Sequence, residues 1–430
     1  VLALSLALTG CASSGPYSIN LMPAPEVFAD GAVNPLPVGQ PPVSYDSFEV
    51  LYATDRKPAD PEDESPFYVN EDGFVIRLGS ARVKASKEGV GWEEARRISL
   101  ASERDADYPL QVLSVSETGV LASTYTAITQ PFPAPAVTDK VGRQFALDID
   151  QRLSASGVKD VYVYVHGYRV VFANPVLIVA ELWHFMGYRG AFVAYAWRAT
   201  PRALAYASDS ESAVTNGRKF RLFLSYLAQS TQAERIHIIA YSAGSRMVLR
   251  ALEQLALLNA DASDEEIRRD VRIGTVAFVG GDASRRGFGA GLADGILRIP
   301  ERTVVYVSTA DRALNFSRLI FRRARLGQMW VGEVPPPVTE FLLHNPSLEV
   351  IDVTDAADST TGNGHGYFRS SPWVSSDLLS LFAYDMEPSE RGLVREAGSA
   401  IWKFPGDYIQ RLRESLIERD PALANSAAGG

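Results

Sequence analysis

The chain has 430 residues, of which 46% are hydrophobic and 22% charged. Such a composition excludes wholesale disorder, collagen-like repeats and a coiled coil. Forty-two basic against 51 acidic residues leave a net charge of −9, which argues against nucleic acid as a partner, and the single cysteine excludes a disulfide framework or a Cys-rich metal site.

Residues 1–9 are an apolar run that meets Gly10-Cys11-Ala12-Ser13-Ser14. This resembles the lipobox of a bacterial lipoprotein signal, in which the cysteine is lipidated and becomes the new N-terminus. No Lys or Arg precedes Arg56, a departure from the basic start of such signals. The resemblance implies a signal over residues 1–11, lipidation of Cys11, and a protein held in the bacterial cell envelope, at the outer membrane facing the periplasm. Contact with the membrane is expected through that anchor, since no later apolar run reaches the ~18–20 residues that span a bilayer. Residues 12–46 read as a tether: seven prolines fall between positions 16 and 43, with only Glu26 and Asp30 charged. A folded body is expected over 47–416 and a disordered tail over 417–430.

The first part of that body is strand-like. Phe48–Tyr52, Phe74–Leu78 and Leu110–Val115 suit antiparallel strands at a sheet edge. A segment rich in Pro and Ala, from Gln130 to Val137, follows as a linker. Beyond Thr138 six short apolar runs alternate with helical patterns: Val161–Val165, Ala191–Trp197, Ile236–Ala240, Val271–Val279, Thr303–Val307 and Leu348–Val353. Runs without polar alternation suit strands buried on both faces of a parallel sheet. Between them Phe220, Phe223, Leu224 and Leu227 share a helical face, as do Val248, Leu252 and Leu255. The fold class is therefore α/β, with a mostly parallel central sheet, antiparallel N-terminal edge strands and helices on both faces. Ligands in such sheets sit beyond the carboxyl ends of the strands, so the residues that follow each strand matter most.

After the third run comes Ala240-Tyr241-Ser242-Ala243-Gly244, directly before an amphipathic helix. That is the strand–turn–helix setting of a nucleophile elbow, with Ala in place of the first Gly. Ser308-Thr309-Ala310-Asp311 follows the fifth run, and Gly364-His365-Gly366 lies beyond the sixth. A serine needs an imidazole to take its proton, and the imidazole needs a carboxylate to orient it. Of the five histidines, His237 lies in a strand, His184 in a helix, His344 before the last strand and His166 in another motif, which leaves His365 as the base. His166-Gly167-Tyr168 follows the first run, where the Tyr168 and Ala243 amides could form an oxyanion hole. Asp282, after Val279-Gly280-Gly281, is an alternative acid to Asp311. Arg318, Arg322 and Arg325, at spacings of four and three, are expected to share one helical face just beyond Asp311, which suits either a solvated face or a site for an anionic substrate or phospholipid headgroup.

These motifs together resemble bacterial α/β-hydrolases of the esterase/lipase-like kind, whose substrates are mostly unknown and which are often secreted or lipid-anchored. The resemblance runs from about Val50 to Trp373 and is carried by Tyr52-Ala-Thr-Asp-Arg-Lys57, His166-Gly-Tyr168, Trp197, the Ser242 motif, Ser308–Leu314 and Gly364-His-Gly366. It implies the α/β-hydrolase fold, with Ser242, Asp311 and His365 as the triad. Three positions depart from the family pattern: Arg169 stands where Asn is usual, Arg198 where Pro is usual, and Tyr241 where His is usual. The expected activity is cleavage of a carboxylic ester, without cofactor or metal; no H-E-x-x-H and no Gly-rich phosphate loop occurs. A catalytically idle scaffold serving as an envelope interaction module, and an acyltransferase, remain the alternatives.

Overall fold

The computed structural model describes residues 18–425 except 32, 37–38, 40–42, 44–46, 64, 66, 85–89, 102, 127–134, 200–212 and 329–333. Cys11 and the expected signal therefore lie outside the described residues, as does most of the expected linker over 130–137. The described strands are β1 (Ser18–Asn20), β2 (Phe48–Pro58), β3 (Tyr68–Lys84), β4 (Pro109–Val120), β5 (Asp160–Val165) and β6 (Ala191–Ala196). They continue with β7 (Arg235–Tyr241), β8 (Ile273–Val279), β9 (Pro300–Val307), β10 (Leu348–Asp352) and β11 (Ile401–Lys403). One sheet holds them in the order β1-β4-β3-β2-β6-β5-β7-β8-β9-β10-β11. Pairing is parallel from β2 through β11 and antiparallel among β2, β3, β4 and β1.

Alternation along the parallel strands explains their continuous apolar sequence. Val161, Val163 and Val165 of β5 enter one core, with the helices Pro135–Ser156, Gly217–Ser230 and Gly244–Leu258. Tyr162 and Tyr164 point the other way, to a second core with the helices Ala173–Phe185, Pro372–Tyr384 and Tyr408–Arg419. A strand covered on both faces has no polar side to show. All six apolar runs are strands of this sheet, and helices cover both of its faces.

Two expected boundaries are corrected. Residues 18–31 and 33–36 are packed into the body rather than forming part of a tether: β1 pairs with β4, and Met22, Val27, Phe28, Val33 and Leu36 are buried. Five backbone carbonyls of this segment also accept from arginine side chains. Arg413 donates to Glu26, Val27 and Ala29, and Arg104 donates to Leu21 and Met22. Pro23 and Pro25 precede a short 3-10 helix, Glu26–Gly31, and do not prevent the segment from burying its apolar residues. The expected tail is likewise folded through Asn425: the helix Tyr408–Arg419 buries Leu416, and Leu423 packs behind it.

Of the strands that follow the antiparallel part, β5 comes first and lies between β6 and β7. After β5 the chain moves to one side for β6, then returns across β5 to place β7. Such a reversal leaves a crevice at the carboxyl ends of β5 and β7. The turns that follow those two strands carry His166-Gly167-Tyr168 and Ser242.

Candidate active site

Ser242 sits at the sharp corner between β7 and the helix Gly244–Leu258, with φ of 52°. A left-handed backbone is uncommon for serine and stores strain, so neighbouring contacts must hold it. The Ser242 N–H donates to Val279 O at 3.0 Å, while its carbonyl accepts from Asp282 N and Ser245 N, each at 3.1 Å. Ser245 Oγ–H adds a 2.6 Å bond to the same carbonyl. Gly244 has no side chain for a packing reason: a Cβ there would lie 2.6 Å from His166 O and 2.7 Å from Val165 O. Ala240, by contrast, is an ordinary residue of β7 paired with Val165 and Phe278. Its backbone does not need glycine, which is why alanine serves at the first position of the motif.

His365 lies on the loop after β10. Gly364, at φ 68°, lets that loop press on the turn after β9, since a Cβ would stand 2.8 Å from Ala310 O. His365 Nε2 is 2.8 Å from Ser242 Oγ and Nδ1 is 2.6 Å from Asp311 Oδ2. An ionised carboxylate can only accept, so Nδ1 carries the proton and Nε2 is left to accept from the serine hydroxyl. Asp311 is fixed by its other oxygen: it caps the helix Arg312–Phe321, with Oδ1 accepting from Leu314 N at 2.9 Å. Burial alone would lower the His365 pKa. The Asp311 charge, its hydrogen bond and the charge of Asp282 outweigh that burial and hold the pKa above the ordinary imidazole value.

The ring of His365 has two further neighbours. Gly280 makes room for it, because a Cβ there would come within 3.0 Å of Cε1. Tyr241, which stands where histidine is usual, packs against it with ring centroids 5.1 Å apart.

The turn after β5 closes the site from the other side. A Cβ on Gly167 would lie 2.7 Å from Ser242 Cβ and 3.2 Å from its Oγ, so only glycine permits this approach. Tyr168 and Ala243, the residues expected to supply oxyanion amides, directly follow the two positions that touch. His166 does not join the Asp311–His365–Ser242 hydrogen bonds. It is fully buried, stacked on Trp197 at 5.2 Å, and both ring nitrogens face carbonyls, of Gly167 and Trp197. Burial, with the nearby Arg56 charge, pushes its pKa down to about 3.

Arg56 carries a role that its position in the sequence does not announce. Its guanidinium is buried and donates to Trp197 O at 3.0 Å, Ala196 O at 3.3 Å, Val170 O at 2.7 Å and the Asn70 side chain. The Trp197 indole donates in turn to His166 O at 2.7 Å. Asp55 beside it accepts from Arg198 N at 2.9 Å and Lys219 Nζ at 3.0 Å. Together they tie β2 and the end of β6 to the turn that bears Gly167 and Tyr168. The only signal in the sequence was membership of the Tyr52–Lys57 motif, which names no partner.

Asp282 does not reach the histidine. Its Oδ2 accepts from Arg246 Nη2 at 2.8 Å, its Oδ1 accepts from Ser317 Oγ, and Arg325 Nε stands 3.4 Å away. Arg325 is correspondingly buried, and the helix before it ends at Phe321 with Arg322 in the left-handed region. Arg318, Arg322 and Arg325 thus do not share one helical face.

Residues 143–381 match the family model described as alpha/beta hydrolase of unknown function (DUF900). The match begins before β5, ends within the helix Pro372–Tyr384, and includes Ser242, Asp311 and His365. No curated protein and no solved structure matches the chain.

Proposed function

Because this chain belongs to the α/β-hydrolases of unknown function, we propose that it is a serine carboxylester hydrolase whose triad is Ser242, His365 and Asp311. The observation that supports this reading is the unbroken hydrogen-bond chain Asp311–His365–Ser242, at 2.6 and 2.8 Å, beside the strained serine. His365 takes the Ser242 proton as Oγ attacks the ester carbonyl. The amides of Tyr168 and Ala243 are the donors for the resulting oxyanion. Collapse of the tetrahedral species breaks the carbon–oxygen bond to the alcohol, which leaves with the proton from His365, and an acyl-Ser242 ester remains. Water then adds by the same route, giving the carboxylic acid and free serine. An acyl transfer would share the first half and replace water by a second alcohol.

The test is labelling with a fluorophosphonate probe alongside turnover of a short-chain aryl ester. Wild type should label and turn over; Ser242→Ala should take no probe and lose about 10⁴–10⁶ in kcat. Full labelling of Ser242→Ala would remove the nucleophile from this role. A wild type that never labels would favour the idle scaffold.

The same reading places the protein in the bacterial cell envelope through acylated Cys11, supported by the apolar run that ends in Gly10-Cys11. Acyl chains contribute ~0.8 kcal/mol per buried CH₂, so more than one suffices for stable attachment. Cys11→Ser should abolish incorporation of labelled fatty acid; equal incorporation in both proteins would exclude the anchor.

A further inference from the structure

The helix Arg312–Phe321 presents a surface that ester chemistry does not require. Its inner side is narrow: Leu314 and Ser317 are buried. Two positions along, about 200° around the axis at 100° per residue, Phe316 is 45% and Leu319 74% exposed. Arg312 and Arg318 on this helix, and Arg322 and Arg323 just after it, are exposed as well. The backbone then turns back: Ser308 N donates to Gly327 O at 3.0 Å and Leu326 N to Ala283 O at 2.9 Å. The whole excursion therefore begins and ends at the carboxyl edge of the sheet, the edge on which Ser242 lies. Arg285 N donates to Ala324 O at 3.1 Å, which adds exposed Arg285 and Arg286 to the same field.

Among the described residues none of these six arginines makes an ion pair. Neither stretch that bears them, 285–293 or 312–328, contains an Asp or Glu, in a chain whose net charge is −9. A field of one sign concentrated against the charge of the whole molecule calls for a partner of the opposite sign. With Leu319 74% exposed among these arginines, a flat partner with charged headgroups and an apolar interior matches both features. We propose that this face docks the protein on an anionic lipid bilayer, with the arginines at the headgroups and Phe316 and Leu319 below them. Basic amphipathic helices bind such surfaces by this combination of charge and buried apolar area. The docked orientation turns the catalytic edge toward the membrane.

The experiment uses the full chain carrying Cys11→Ser, so that acylation plays no part, and sedimentation with two kinds of vesicle. One is phosphatidylcholine alone, the other phosphatidylcholine with a third phosphatidylglycerol. The protein should sediment at least tenfold better with the anionic vesicles, and 0.5 M NaCl should remove that preference. The salt series needs no substitution and so does not depend on a variant folding. The triple change Arg318→Glu, Arg322→Glu, Arg323→Glu should lose the preference entirely. Phe316→Ser with Leu319→Ser should weaken binding several-fold while keeping its salt dependence. Ser242→Ala should bind as the parent does, so loss of the esterase reading leaves this result intact. Equal sedimentation with both vesicles, none with either, or unchanged binding by the triple variant would overturn the proposal. The first two outcomes would mean that something other than an anionic lipid surface covers this face.

Discussion

Two turns at the carboxyl edge carry a buried aspartate each, and the two are partnered in opposite ways. Asp282 follows β8 and Asp311 follows β9, on neighbouring strands, and both are at most 1% exposed. Arg246, Arg325 and Ser317 surround the Asp282 carboxylate. Among the described residues Asp311 meets no guanidinium; one oxygen caps a helix and the other faces His365. A carboxylate neutralised by arginines is a structural tie, since its charge is already matched. One that faces only backbone N–H groups and an imidazole can stabilise an imidazolium as it forms. Burial and position alike do not distinguish these roles; the partners do.

Substitution of the two aspartates should separate them, and Asp311→Asn should have the largest effect. Asparagine remains a good helix cap, so the melting temperature should move little. Its amide NH₂, however, presents a donor to Nδ1 and favours the wrong tautomer, which lowers kcat roughly 10⁴-fold. The pH profile gives a second reading. In wild type the base must be neutral, so kcat/KM should rise with pH through an apparent pKa above the ordinary imidazole value. Without the Asp311 charge, burial dominates, and the acid limb of the residual activity should move to lower pH. A limb that stays in place would break the assignment of Asp311 as the partner that raises this pKa.

Asp282→Asn should give the complementary result. Asparagine takes the negative charge from between Arg246 and Arg325, the latter 2% exposed, and breaking such a buried cluster typically costs about 3 kcal/mol of stability. Denaturant unfolding should register that loss while kcat falls less than tenfold. The acid limb should shift down only slightly, because the Asp282 charge is the smallest of the influences on His365. A large loss of turnover with unchanged stability would reverse the comparison. Arg56→Lys sits between the two in size: a single ammonium cannot reproduce donors to Trp197, Ala196 and Val170 at once. Its kcat should fall on the order of tenfold to a hundredfold at little change in KM, read from steady-state ester hydrolysis.

These contrasts explain which parts of the molecule were legible in sequence. The parallel strands could be read because two-sided burial leaves unbroken apolar runs such as Val161–Val165 and Ile236–Ala240. Ser242, Asp311 and His365 could be singled out because each follows such a run and the histidines are few. The choice between Asp311 and Asp282 stayed open, since Arg246, Ser317 and Arg325 come from distant positions and nothing local announces their convergence. Arg56 was opaque for a stronger reason. Its acceptors are mostly main-chain carbonyls, which every residue carries. The packed residues 18–31 and 33–36 were hidden by composition, because proline content says nothing about where Met22, Val27 and Phe28 will land. β11, with three residues, is too short to show any period.

The smallest expected effect concerns a third turn, the one after β5. Arg169 has φ of 64° and an exposed side chain, two residues beyond the glycine that touches Ser242. Among the described residues its guanidinium makes no ion pair or hydrogen bond that would justify the conformation. Asparagine, the residue usual here in the similar hydrolases, tolerates the left-handed region better than other non-glycine side chains. Arg169→Asn should therefore raise stability by roughly 0.5 kcal/mol, seen as a slightly higher unfolding midpoint with unchanged slope. Turnover of a neutral ester should stay within twofold, because the residue is not among those that hold the Ser242 corner or the histidine. A substrate bearing a negative charge should lose more, since an exposed cation near the site attracts it over several ångströms and is screened by salt. If both esters respond alike and the gap does not close in high salt, Arg169 contributes backbone strain and no field. The comparison of the three turns would then rest on their hydrogen-bond partners alone.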